Sequence, residues 1–316
     1  MTAAAIARPR RFAIPSWGAL LLVLAAEMTM FGITSPYFFS WDNFVNIVTT
    51  VSVAGIIASA VTLLMVGGQL DLSVGSGVAA TSFVLVSLSG TNMALAIAAA
   101  LVVGLLIGLL NGLIVTVLRV NALIATLGTL ALLRGLVLVF GHSNYLFITG
   151  FDWATYRPFL NVPLSVWVFL AAAVIAHLVM QRTVFGRQTY TLGSNPVAAR
   201  LVGISSRRTV IGAFLLSGLC MAVAGLVLSS QLASVSGGTG TGLEISVITA
   251  VILGGTRLSG GQGTIPGTAI GLFVVAVMGN GLTLLNIDAP WQQVATGVLL
   301  ILAVATDQWR ESRDAA

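Results

Sequence analysis

Side chains that act as nucleophiles, general bases or metal ligands are scarce in this chain, and that scarcity narrows the chemistry open to it. Its 316 residues hold one cysteine, Cys220, and two histidines, His142 and His177, far apart in sequence. These supply neither a disulfide pair nor a cluster of soft metal ligands. All 14 basic residues are arginine, so the chain builds no Walker A phosphate loop and no Schiff base. Leu258-Ser259-Gly260-Gly261-Gln262 reproduces the signature pentapeptide of ABC-type ATPases. Such an ATPase also needs its Walker A lysine, so the string reads as a glycine-rich turn and no nucleotide site. No Gly-x-Ser-Gly string supports intramembrane proteolysis.

What remains is a small set of polar residues in apolar surroundings. Between 67 and 76 the run Gly-Gly-Gln-Leu-Asp-Leu-Ser-Val-Gly-Ser interrupts the hydrophobic pattern with three glycines and a carboxylate. One reading is an unwound segment lining a polar path, where Gln69, Asp71 and Ser73 meet hydroxyl-bearing solutes. Asn111 and Asn280 are further candidates for that path. The other reading makes Asp71 or Ser73 the N-cap of the next helix, and the two are compatible. Arg134 sits seven residues before Gly141, about 10 Å along a helix, where it either snorkels to the interface or pairs with a carboxylate such as Glu27 or Glu244.

The elements that carry these residues follow from composition. Hydrophobic residues make up 57% and charged residues 7%, against roughly 25% charged in soluble proteins, so this is a membrane protein. Apolar runs fall at 14–33, 44–66, 72–88, 93–118, 121–140, 164–180, 209–230, 245–253, 264–285 and 291–306. The fold class is therefore all-α and polytopic, with about ten transmembrane helices. The run at 245–253 is too short to span alone and reads as a half-helix or re-entrant piece. The N-terminal run follows Arg8, Arg10 and Arg11 but contains Glu27 and lacks a small-residue cleavage site, so it is kept as a span.

Starting from a cytoplasmic N-terminus and alternating, twelve arginines fall inside: Arg8, Arg10, Arg11, Arg119, Arg182, Arg187, Arg200, Arg207, Arg208, Arg257, Arg310 and Arg313. Only Arg157 falls outside, and Arg134 lies within a span. The net charge of +5 is scattered and forms no nucleic-acid patch. Both termini are expected in the cytoplasm, with tails at 1–13 and 307–316 flanking one transmembrane domain at 14–306. Tyr37, Phe38, Phe39 and Trp41, and then Tyr145, Phe151, Trp153 and Tyr156, gather where this scheme puts the outer interface, as an aromatic belt does. The long outer stretch 141–163 is also open to docking an extracellular partner.

An internal repeat is visible. Gly104, Gly108 and Gly112 recur at every fourth position, with Asn111-Gly112-Leu113 followed by Ala125-Thr126; Gly263, Gly267 and Gly271 do the same, with Asn280-Gly281-Leu282 followed by Ala295-Thr296. The repeat halves run roughly over 44–140 and 209–306, in inverted topology. A second pair, Gly67-Gly68 through Leu72-Ser73 and Gly254-Gly255 through Leu258-Ser259, matches less well and lands on one side in both copies, so either the match is chance or one crossing is miscounted. Glycine at this spacing serves close helix packing within the chain in preference to a dimer face.

The longest cytoplasmic loop, 181–208, contains a compact helix signal: Asn195 as N-cap, Pro196 at the first position, 197–202 as the helix and Gly203 to end it. Physics alone leaves two roles open, a rigid handle for a partner or an interfacial helix on anionic lipid aided by Arg200, Arg207 and Arg208.

From 35 to 307 the chain resembles the permease subunits of ribose-type bacterial ABC importers for simple sugars. The resemblance is carried by Ser35-Pro36 with Phe38, by Gly67-Gly68-x-x-Asp71-Leu72-Ser73-Val74-Gly75-Ser76, and by Asn111-Gly112 with Ile124-Ala125-Thr126-Leu127-Gly128. It continues through Gly186-Arg187, Gly193-x-Asn195-x-x-Ala198-Ala199-Arg200, Gly203-Ile204, Glu244, Gly254-Gly255 and Gly260-Gly261-x-Gly263. Thr191 departs from it, since alanine is usual there. The resemblance implies a homodimer in the bacterial inner membrane, cytoplasmic ATPase subunits that bind the ATP, and an extracytoplasmic sugar-binding protein. It makes Gly186, Arg187, Asn195, Ala198, Ala199, Arg200 and Gly203 the coupling element toward the ATPase. This chain then performs no catalysis and needs no cofactor of its own. The competing class is an ion-coupled secondary transporter of a small polar solute, with Asp71 as its main ion ligand.

Overall fold

In the computed structural model, which describes residues 18–142 and 144–314, the chain is almost entirely helical. The expected tail 1–13, with Arg8, Arg10 and Arg11, lies outside the described residues, as does the start of the first apolar run. The helices are α1 Gly18–Thr34, α2 Trp41–Val66, α3 Val74–Ser89, α4 Met93–Thr116, α5 Ala122–Phe140 and α6 Leu164–Arg182. They continue with α7 Val184–Ser194, α8 Pro196–Leu201, α9 Ser206–Leu232, α10 Leu243–Leu253, α11 Ile265–Leu284 and α12 Ala289–Asp314. Each apolar run of the sequence corresponds to a helix whose ends shift by a few residues. Two helices fall outside those runs: α8, announced by its own capping residues, and α7, capped by the Thr183 hydroxyl accepting from Gly186 N–H, which the apolar pattern did not announce because its composition is mixed.

Among the described residues six helices, α2, α4, α5, α6, α9 and α11, are long and apolar enough to cross a bilayer. The apolar parts of α1, α3, α10 and α12 are shorter. The chain is an all-α polytopic membrane protein. At 11 residues, α10 measures about 16 Å against ~30 Å of hydrocarbon.

The termini of these helices show why they stop where they do. Gly67-Gly68 and Gly254-Gly255 close α2 and α10 in the same way. Gln69 N–H donates to Leu64 O and Gly68 N–H to Met65 O; Thr256 N–H donates to Val251 O and Gly255 N–H to Ile252 O. Gly68 at φ +72° and Gly255 at φ +86° supply the left-handed residue that such a closure requires. Both caps lie at the end of the bundle that bears α7 and α8, where Gly260 packs on Gly68 and Gly193. The two Gly-Gly pairs are thus one local device used twice at one end, which is why they do not follow the inversion of the other repeat.

Helix contact relies on missing side chains. A Cβ at Gly104 would lie 2.7 Å from Ala222 Cβ, one at Gly108 would overlap the Phe214 carbonyl oxygen, and one at Gly218 would lie 3.0 Å from Gly108 N. α4 and α9 therefore cross backbone to backbone, the close approach that favours dispersion between helices in lipid. Gly267 and Gly271 of α11 meet Gly254 and Ala250 of α10 in the same manner, whereas Gly263 stands in the preceding loop. These glycines pack within the chain.

At the opposite end the stretch after α5 folds back over the bundle. Its strand β1, Leu146–Phe147, pairs antiparallel with β2, Ser234–Val235, and Ala154 N–H donates to Ser230 Oγ of α9 (2.9 Å). Tyr37, Phe39, Trp41, Tyr145 and Tyr156 are exposed there, but Phe38 and Phe151 are buried and belong to the interior packing instead.

Candidate translocation and coupling sites

The segment between α2 and α3 is non-helical from Gln69 to Ser73, and its unpaired backbone is fastened by side chains from three helices. Asp71 Oδ1 accepts from Ser73 N–H (3.0 Å) and Ser73 Oγ (2.6 Å), and its Oδ2 accepts from Ser217 Oγ of α9 (2.9 Å). Asn111 Nδ2 of α4 donates to Ser73 Oγ (2.9 Å), and Asn111 Oδ1 accepts from Thr129 Oγ1 of α5 (2.7 Å). Leu72 N–H donates to Thr126 Oγ1 (3.1 Å). Asp71, Ser73 and Asn111 are each 0% exposed. Burial without such partners would be costly, so the network is what permits an unwound segment inside the bundle.

Of the two capping candidates it is Asp71 whose carboxylate takes the Ser73 N–H; the Ser73 hydroxyl makes no cap of its own. Among the residues proposed for a polar path, Asp71, Ser73 and Asn111 come together. Gln69 is half-buried beside them and bonds through its backbone to Leu64. Asn280 stands apart from this cluster: it exchanges two amide hydrogen bonds with Asn43, at 2.8 and 3.0 Å, joining α11 to α2 near the opposite end. Sequence reasoning missed Ser217, Thr129, Thr126 and Asn43. Ser217, Thr126 and Thr129 are small polar residues within apolar runs and Asn43 lies in the first turn of α2, signals that do not say which helix each one faces.

The starts of α3 and α10 meet inside the bundle. Gly75, in the first turn of α3, lies against the backbone of Gly240 and the carboxylate of Glu244. Glu244 occupies the first turn of α10, where the helix dipole favours an anion; its Oε1 accepts from Gly242 N–H (3.3 Å), and its Oε2 is buried with no hydrogen-bond partner among the described residues. The turn segment that leads to α10 is held by Arg134, whose Nη1 donates to Gly237 O and Thr239 O, both at 2.7 Å. The partner of this arginine is thus a pair of carbonyls, neither Glu27 nor Glu244.

On the other face, α7 and α8 form a bent helical pair outside the apolar body. Asn195 Oδ1 accepts from Val197 N–H (3.0 Å) and Ala198 N–H (2.9 Å), Pro196 takes the first position, and Gly203 at φ +81° ends the helix as its sequence predicts. Such a cap contributes about 1 kcal/mol. Gly186 permits the α6–α7 corner, because a Cβ would overlap the Val179 and Met180 carbonyls. Ala198 and Arg200 face outward, and Arg200 Nε donates to Pro196 O (3.2 Å). Ala199 is 0% exposed, packed inward with Leu192 and Val210, so it supports the element and presents no contact surface.

The outward face of α8 is instead apolar: Leu201 is 84% and Val202 72% exposed, beside Val197. Arg187 borders a cavity of about 650 Å³ shared with Gln181, Tyr190, Thr191 and the 261–264 loop. Tyr190 Oη donates to Gly263 O (2.7 Å) there. Burial pushes its phenol above the ordinary tyrosine value, so it remains a proton donor over the physiological range. Among the described residues no group of three or more His, Cys, Asp and Glu could hold a metal ion.

Known proteins resemble this arrangement over nearly its whole length. Residues 43–304 match the family model described as branched-chain amino acid transport system / permease component. The "Probable ABC transporter permease protein YphD" of Escherichia coli K12 is 41% identical over 290 residues, covering 90% of this chain and 87% of the relative. The ribose import permease protein RbsC of the same organism is 38% identical over 302 residues, 93% of this chain and 92% of its own. The L-arabinose transport system permease protein AraH is 35% identical over 297 residues, 92% of this chain and 90% of its own. No solved structure matches the chain. With a polytopic helical body, an unwound polar segment within it and relatives matched over about nine-tenths of its length, the chain belongs to the family of ABC transporter permeases that includes the ribose and L-arabinose import permeases.

Proposed function

We propose that this chain is the membrane-spanning permease subunit of an ATP-driven importer, forming the path for a monosaccharide or related polyol handed over by an extracytoplasmic binding protein. The monosaccharide reading rests on the ribose and arabinose relatives. Two copies line the pathway in the bacterial inner membrane, and cytoplasmic ATPase subunits bind and hydrolyse the ATP. In this reading the bundle makes ten crossings with both termini cytoplasmic. α3 and α10 complete theirs with the non-helical strands that precede them, so α7 and α8 lie in the cytoplasm.

The inverted repeat is supported by reciprocal packing: α4 of the first half crosses α9 of the second, while α11 of the second half pairs with α2 of the first. The observation that carries the function is α8. A short, firmly capped helix beyond the ends of the spans leaves Val197, Leu201 and Val202 as an exposed apolar knob, the kind of patch that a protein partner covers. ATP-driven movement of that knob tilts the spans around the path.

The test is uptake of a labelled monosaccharide into vesicles containing the permease, its ATPase and its binding protein. Uptake is expected to require ATP and to survive collapse of the ion gradients. Uptake that persists without ATP and stops when the gradients collapse would establish the ion-coupled class instead.

A further inference from the structure

Three glycines from three separate segments meet at one point beside α7. Gly68 follows α2, Gly193 lies in the last turn of α7, and Gly260 lies in the loop between α10 and α11. A Cβ at Gly260 would stand 3.0 Å from Gly68 Cα and 3.1 Å from Gly193 Cα, and Gly260 itself is left-handed at φ +89°. A Cβ at Gly193 would overlap the Val66 carbonyl oxygen and stand 2.6 Å from Gly261 N. The contact is therefore backbone on backbone. Two hydrogen bonds tie it: Gly261 N–H to Val66 O (2.8 Å) and Tyr190 Oη to Gly263 O (2.7 Å).

Side chains at an interface adjust to sliding by changing rotamer, but main chains in direct contact have nothing to adjust. The loop 257–264 is bonded at once to the last turn of α2 and to α7. The end of α2 leads directly into the unwound segment at Asp71, and the loop follows directly from α10. A displacement of α7 and α8 thus reaches both interrupted crossings through one junction.

We propose that Gly68, Gly193 and Gly260 form a rigid clamp that makes the α7–α8 pair, the α2–α3 turn and the α10–α11 loop move as one body. The clamp rests on the reading of this chain as an ATP-driven permease, and its glycines are positioning residues for that movement.

The experiment uses the reconstituted complex of permease, ATPase and binding protein. Gly193→Ala and Gly260→Ala are expected to retain membrane insertion and co-purification with the ATPase. Binding-protein-stimulated ATP hydrolysis and uptake should each fall by about 5- to 150-fold, the size of an ordinary coupling between sites. Wild-type uptake in both variants overturns the clamp. A second arm serves if these variants fail to accumulate. Thr191→Cys and Gln262→Cys, which line the two walls of one cavity, are joined by a short cleavable bifunctional maleimide in a Cys220→Ser background. A rigid body transports normally when cross-linked. Loss of uptake on cross-linking that is restored by cleavage shows that α7 and the loop move apart, and overturns the proposal. Absence of ATP-dependent uptake in the wild-type complex instead refutes the importer reading.

Discussion

Asp71 gives the sharpest test of how an unwound segment survives inside this bundle. Asp71→Ala removes the acceptor for one backbone N–H and two hydroxyls. The Ser73 N–H has no other partner at the start of α3, and stranding a buried donor costs about 1–3 kcal/mol. The two serine hydroxyls can rotate toward other acceptors, so each loses only a net hydrogen bond, about 0.5–1.5 kcal/mol. Together these give roughly 2–6 kcal/mol of destabilisation. Asp71→Asn behaves differently, because its amide oxygen still accepts from Ser73 and its amide nitrogen donates to Ser217 Oγ, which accepts in turn. Its cost should be about 1 kcal/mol, one rearranged hydrogen bond. Reversible unfolding of the purified chain in mixed micelles, compared across both variants and Ser217→Ala, reads these differences. Equal losses in Asp71→Ala and Asp71→Asn would show that charge, not acceptor geometry, fixes the segment; losses under about 0.5 kcal/mol in both would show that the network holds nothing.

Other expectations follow from the same contacts. Gly108→Val, whose Cβ meets the Phe214 carbonyl, should destabilise the chain by at least about 1–3 kcal/mol, whereas Gly128→Ala in α5, with open space around it, should be neutral or slightly stabilising in the same unfolding assay. A double-mutant cycle on Asn43→Leu and Asn280→Leu should return a coupling of about 0.6–1.7 kcal/mol, as for other hydrogen bonds between membrane helices. Arg134→Met removes two charge-assisted bonds, each contributing about 1.5–3 kcal/mol, and should speed amide exchange at Gly237 to Glu244, with Arg134→Lys intermediate. Leu201→Asp should abolish co-purification with the ATPase while leaving the melting behaviour of the isolated chain unchanged; Ala199→Glu, buried, should lower that stability as well.

Much of this architecture is legible in the residues because its determinants are local. Apolar runs longer than a helical turn announce every major helix, and Asn195, Pro196 and Gly203 announce α8 down to its cap. The Gly-x-x-x-Gly spacing announces close packing. What stays hidden is pairing across the bundle. Asn111 and Asn280 occupy matching places in the two repeats, yet one joins a carboxylate network and the other a lone asparagine, because their partners come from helices whose rotation no sequence period fixes. α7 is hidden for a different reason: it buries one face, with Gly186, Thr189 and Leu192 inward, but at 11 residues of mixed composition it lacks the continuous apolar run that announces a span. Leu201 and Val202 look like ordinary apolar residues until the structure shows them exposed among the described residues.

Arg134 also bears on how the chain is made. It belongs to α5, and the carbonyls it serves lie about a hundred residues later, at Gly237 and Thr239. During synthesis α5 is made before the loop that supplies those carbonyls, so until then the guanidinium has to be satisfied by something else. Seven residues before Gly141, the Arg134 side chain is within reach of the interface and of water there, which the 237–239 turn replaces once the later segment is made. The first half alone therefore leaves this guanidinium without its native acceptors, which the second half of the chain supplies.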